Sequence, residues 1–333
     1  MITKDNMAST ESPNLVEGRG ISPRDPLVFG FWKVPPEVCA SVCYRAIKEG
    51  YRRLDCACDY GNEKEVGEGI ANAINDGLCT RDELFVTSKL WNTYHKPEHV
   101  PLACQHSLKD LHLSYLDEYL IHFPISTEFV PFEKKYPPEW VNLDGKMVIV
   151  PNDMCATWKA MEDLVSDGMV KTIGVCNFSV QLLRQILSSC NIRPSTLQIE
   201  LHPQNSQQKL VRFAHESEMN VTSFSTFGSV SYVELSMSSD GDSLFSNPSI
   251  LKIAEAKKKK PAQILIRWAL QRNVFPLTKT VKGERMKENR DVFDFSLTTD
   301  DMNVINGLNA NRRYNDPGVF CELGMGTFCP IYE

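Results

Sequence analysis

The chain has 333 residues, 42% apolar and 23% charged, which is an ordinary globular composition and a length that suits one α/β barrel. A net charge of −6 argues against nucleic acid as the main partner, and no apolar run is long enough to span a membrane. Eleven cysteines cannot all pair, and neither CxxC nor zinc-ligand spacing occurs, which points to a reducing, cytoplasmic compartment. The seven histidines include no HxH and no HExxH, so the usual metal-dependent barrel hydrolases drop out and no metal site is expected.

The first 25 residues open with the polar MITKDNMASTESPN, which is no signal peptide and reads as a disordered or irregular extension. Residues 26–333 read as a single domain. Its first helix is expected over Pro35–Gly50, with apolar Val38, Cys43 and Ile47 on one face and a terminating Gly. Strands are expected at Tyr51–Cys56, Leu84–Ser88, Tyr115–His122, Thr172–Val175, Thr196–Glu200, Asn220–Phe224, Val274–Thr278 and Asp291–Phe295. Pro261 opens a further helix, AQILIRWALQR, from the favoured first position. Eight strands alternating with helices predict α/β architecture, a (β/α)8 TIM barrel. Two long inserts, 129–151 and 229–249, follow strand ends and are expected to be functional loops at the carboxyl face. The run Lys257–Lys260 reads as the solvated end of a helix.

Four strings carry the chemistry: LDCACDYGNEKEVGEG (54–69), LFVTSKLWN (84–92), EYLIHFP (118–124) and TIGVCNFS (172–179). In the first three a polar residue ends an apolar run: Asp55 with Tyr60, then Lys89, then His122. Carbonyl reduction by hydride needs a proton for the oxygen. A free tyrosine, with a pKa of about 10, holds its proton too tightly near neutral pH, and a neighbouring ammonium favours the phenolate. Tyr60 therefore reads as general acid and Lys89 as its tuning cation. Asp55 is the counter-ion that keeps the lysine charged, and His122 is the donor that orients the carbonyl.

These strings resemble the aldo-keto reductases, and the resemblance runs from about Val28 to the C-terminus. Within that family DYGNEKEVGEG (59–69), FVPFEKKYPPEW (129–140), SFSTFGSVSYVEL (223–235) and YNDPG (314–318) are most similar to the xylose reductases. The resemblance implies NADPH, with NADH as the alternative donor, bound in an extended pose; no GxGxxG follows any expected strand. It places Asn177 and Gln198 at the nicotinamide carboxamide, Phe224 on the nicotinamide face, and Gly228 and Ser229 at the pyrophosphate loop. Lys279, Thr280 and Arg285 would meet the 2′-phosphate, Glu288 and Asn289 the adenine, and Glu234 the ribose hydroxyls when NADH is bound. Trp32, Trp91 and Phe123 would wall the substrate pocket, with Asp59 and Asn315 meeting sugar hydroxyls.

Several positions depart from that pattern. Cys176 stands where a Ser would bond the carboxamide, Thr278 where a Pro would precede Lys279, and Gln204 where an aromatic would follow the His–Pro pair. GRGISPRDPL replaces a regular N-terminal hairpin, and the tail CELGMGTFCPIYE is atypical. The implied activity is reduction of an aldehyde, D-xylose or another aldose, to the polyol. A hexose-6-phosphate or general aldehyde reductase, or a cofactor-binding barrel without catalysis, is the alternative. A monomer and a homodimer both fit the resemblance.

Overall fold

The computed structural model describes residues 25–332. Of the extension expected over residues 1–25, all but Asp25 lies outside the described residues, as does most of GRGISPRDPL. In chain order the elements are β1 (Val28–Gly30), α1 (Pro36–Lys48), β2 (Arg53–Asp55), α2 (Glu63–Asn75), β3 (Phe85–Leu90), α3 (Val100–Asp110), β4 (Leu116–Ile121), α4 (Met154–Ser166), β5 (Val170–Cys176), α5 (Val180–Ser189), β6 (Thr196–Glu200), α6 (Gln208–Glu216), β7 (Asn220–Phe224), α7 (Pro248–Lys257), α8 (Pro261–Leu270), β8 (Val274–Thr278), α9 (Gly283–Arg290), α10 (Thr299–Asn306) and α11 (Pro317–Met325). The eight strands pair in parallel and in sequence order, and β8 closes the barrel on β1 through Val28↔Leu277 and Phe29↔Thr278.

The expected run Asp291–Phe295 is not a strand. Val292 alone is fully buried, Phe293 stays largely exposed, and Asp291 and Asp294 both turn outward to Lys259, each at 2.8 Å. The alternation there marks a surface connection after α9. The eighth strand is instead β1, only three residues long and hence almost without periodicity. The lysine run is likewise paired, not merely solvated: Lys257 meets Asp301 at 3.1 Å, and Lys260 bonds Glu288.

Some helices begin where a side chain supplies a partner for their orphan amides. Asn247 caps α7 ahead of a Pro at the first helical position, and Ser179 caps α5. Gly69 lets α1 and α2 touch, since a Cβ there would lie 2.6 Å from the Ala40 carbonyl oxygen. Asp25 is buried and fastened, accepting from the Arg52 amide at 2.9 Å and pairing with Arg290 at 2.9 Å.

The lower half of the barrel is filled. The Arg53 guanidinium lies between the rings of Phe85 and Phe275, at 4.1 and 4.5 Å from their centroids. Glu118 accepts from Thr87, Ser195 and Thr196. The upper half is left open as a cavity beneath the two inserts. Among the described residues no helix is long and apolar enough to cross a membrane.

Candidate active site

Lys89, near the end of β3, is fully buried. Its ammonium lies 2.5 and 2.6 Å from the two Asp55 oxygens, 2.8 Å from the Cys56 carbonyl and 3.1 Å from the Tyr60 phenol. Burial alone would lower the lysine's pKa. The Asp55 carboxylate more than offsets this, so the net shift is upward and the ammonium is retained. A lysine ammonium only donates, so the Tyr60 oxygen accepts from it and the phenolic proton is left for another acceptor.

Burial is the largest influence on Tyr60 and drives its pKa well above the usual phenol value; Lys89 pulls it down, and Asp55 and Asp59 push it up. The direction expected for lysine is present but is outweighed by desolvation, so the resting tyrosine holds its proton firmly. His122 follows β4, with its ring 5.9 Å from that of Tyr60. Its Nδ1 sits 3.0 Å from Asp59 Oδ1 but out of line for a hydrogen bond.

These residues sit at one end of a cavity of about 620 Å³ at the carboxyl ends of the strands. Asp55, Asp59, Tyr60 and His122 line it directly, whereas Lys89 lies behind them. Trp32, Trp91, Phe123 and Asn315 line it too, as do Asn177, Gln198, Phe224, Gly228, Glu234, Lys279, Thr280 and Arg285. Three expected residues stand apart from its walls. Ser229 is buried beside Gly228 with a hydroxyl that has no partner, Glu288 is bonded to Lys260, and Asn289 is buried near the end of α9.

Residues not foreseen from the sequence complete the walls. Trp140, from the first insert, packs edge-on against Trp91, Phe123 and Phe320, with centroids 5.0 to 5.3 Å apart. The Trp91 indole donates to the Glu139 carbonyl at 3.0 Å and so anchors that insert. Phe320 and Met325 come from α11. Only the length of the insert and the odd composition of the tail pointed this way.

The donor set fits an extended dinucleotide. Gly228 turns with φ +70°, and a Cβ there would press on Leu244 at 3.0 Å. The Lys279 ammonium is depressed by burial first and then by the like charge of Lys33, with Glu234 opposing, so an anionic phosphate would relieve it. Gln198 donates to Asp55 Oδ1 at 3.2 Å, which places the amide expected at the nicotinamide on the same carboxylate that holds Lys89. On the substrate side, the buried Asn315 Oδ1 has no partner and is free to accept a hydroxyl.

A closed parallel barrel carrying this lysine–tyrosine–aspartate cluster defines a barrel oxidoreductase that binds its dinucleotide without a Rossmann domain. The chain belongs to the aldo/keto reductase family, whose profile matches residues 26–310. It is 44% identical over 310 residues to the NAD(P)H-dependent D-xylose reductase xyl1 of Aspergillus niger, covering 92% of this chain and 96% of that one. It is 46% identical over 292 residues to the NADPH-dependent D-xylose reductase of Candida boidinii, covering 87% and 91%. The fold is similar to that of the aldose reductase from Schistosoma japonicum, with TM-score 0.79 and 37% identity over 92% of this chain and 95% of that one.

Proposed function

We propose that the chain reduces an aldose, D-xylose foremost, to its polyol with NADPH, and that NADH serves as a second donor. The observation that carries this reading is the Lys89 ammonium held between Asp55 and Tyr60 at the floor of an aromatic-walled cavity. The bound dinucleotide supplies a hydride to the carbonyl carbon.

The protein's own groups manage the oxygen. Tyr60 gives its proton to the oxygen as negative charge builds there. The phenolate left behind stays bonded to Lys89, whose charge is fixed by Asp55. His122 donates to the same oxygen and orients the carbonyl toward Tyr60. Trp32, Trp91, Trp140 and Phe320 exclude water around the carbon chain, while Asp59 and Asn315 take its hydroxyls. Lys279, Thr280 and Arg285 take the 2′-phosphate, with Arg285 able to give a fork of donors. A cytoplasmic location accords with eleven cysteines that are all unpaired.

The test is NADPH consumption with D-xylose, a hexose 6-phosphate and an aromatic aldehyde. Turnover favouring xylose supports the reading. Turnover on the aromatic aldehyde alone would keep the chemistry and overturn the sugar assignment.

A further inference from the structure

The C-terminal residues return to the barrel mouth and touch the site from a side the mechanism above does not use. After α11 the Thr327 hydroxyl donates to the Met147 carbonyl at 3.1 Å, which ties the tail to the first insert. Tyr332 then lies under Arg313, whose guanidinium stands 3.5 Å from the ring centroid. Its hydroxyl donates to Asn177 Oδ1 at 2.9 Å, while Asn177 Nδ2 donates to the His122 carbonyl at 2.8 Å.

The two bonds define the amide without ambiguity. A carbonyl only accepts, so the Asn177 NH2 must face His122. Its oxygen must then face Tyr332, which has to be the donor. Burial pushes the Tyr332 phenol up, Arg313 opposes and Glu200 adds to it, so the donor proton is kept across neutral pH. Asn177 itself sits in the left-handed region, with φ +63°, directly after Cys176. The Cys176 thiol is a weak donor and gives little help in orienting a neighbouring group.

We infer that Tyr332 is a positioning residue: it locks the rotamer in which Asn177 presents its remaining N–H and lone pair to the carboxamide of a bound nicotinamide. This rests on the reading of Asn177 as the carboxamide-holding side chain. It assigns to the segment after α11 a part in cofactor alignment, beyond closing the substrate pocket.

The test compares the intact protein with Tyr332→Phe, Asn177→Ala and the double variant. Affinity is read from quenching of tryptophan fluorescence by NADPH and by adenosine 2′,5′-bisphosphate, which lacks the nicotinamide. Tyr332→Phe should weaken NADPH by roughly three- to tenfold, the range for one lost hydrogen bond. Affinity for the bisphosphate and the melting temperature should stay as they were. On the Asn177→Ala background the same change should add nothing.

If Asn177→Ala weakens NADPH and Tyr332→Phe does not, the positioning role is overturned while the nicotinamide reading survives. Equal loss for both ligands, a lowered melting temperature, or additive losses in the double variant would overturn it as well. An Asn177→Ala protein with unchanged NADPH affinity would overturn the underlying reading.

Discussion

Lys33, in the connection after β1, and Glu234, in the second insert, meet at 3.2 Å across the cavity mouth although 201 positions separate them in sequence. Lys33 also donates to the Ser231 carbonyl at 3.0 Å, so the loop is gripped by both charge and backbone. The Glu234 side chain is 82% exposed, so the pair adds little to stability, below about 1 kcal/mol. Its expected effect is kinetic, a slower release of a dinucleotide bound beneath the insert. Lys33→Ala should raise the NADPH dissociation rate several-fold with the melting temperature unchanged, as read by stopped-flow fluorescence. A wild-type dissociation rate would remove the clasp.

Glu234 lines the cavity and is also expected to bear on the choice of cofactor. Its carboxylate can accept from neutral ribose hydroxyls but opposes a 2′-phosphate. Glu234→Ala should therefore weaken NADH more than NADPH, shifting the ratio of their KM values toward NADPH. Steady-state kinetics with both cofactors decides this, and a shift toward NADH would reverse the assignment.

Tyr60→Phe keeps the ring and removes the proton. Turnover should fall by about 10²–10⁴, the usual contribution of a general acid, with NADPH affinity retained. Lys89→Met should lose activity and also stability, because it strands the buried Asp55 carboxylate. Adding Asp55→Asn should recover stability without recovering turnover, and thermal melts beside single-turnover assays separate the two effects.

The direction of the Tyr60 shift fixes the pH behaviour. The phenol's pKa lies above its ordinary value, and reduction uses the protonated form. Aldehyde reduction should therefore hold level through the neutral range and decline only in strong alkali. Alcohol oxidation needs the phenolate and should climb with pH throughout. A reduction rate already halved by pH 8 would show that another group limits it.

Two buried groups outside the chemistry should shape stability in opposite senses. Burial lowers His95 to about 3, with its Nδ1 bonded to Ser126 at 2.8 Å. Between the usual histidine value and about 3, the unfolded chain takes up a proton that the folded one refuses. Stability is thus lost as pH falls through that window. Burial raises Glu63 to about 7 against the pull of Ser88 and Ser107, so its contribution is complete below the usual carboxylate range and is lost as pH rises toward 7. Denaturant melts of His95→Gln should flatten the acid limb, and those of Glu63→Gln the neutral limb.

The sequence disclosed the barrel because strands flanked by helices carry dense apolar runs. Thr196–Glu200, Asn220–Phe224 and Val274–Thr278 lie where they were expected. A three-residue strand such as β1 has no period to detect, and Asp291–Phe295 mimicked one on the surface. Asp55, Tyr60, Lys89 and His122 were legible because each ends or follows a strand close in sequence. Trp140, Phe320 and Tyr332 were not, since the first insert, α11 and the segment after it bring them to the site from far along the chain, and Lys33 carried no motif of its own. The strength of burial at Tyr60 was equally invisible, because it depends on everything packed around the ring.

Asp55 answers to two neighbours at once, Lys89 on one side and the Gln198 amide on the other. If Gln198 holds the nicotinamide as proposed, the berth for the electron donor and the setting of the acid share a single carboxylate. A drift in either one is felt by the other, so neither half of the reaction can be retuned at this position in isolation. Natural variation should stall at this one oxygen pair.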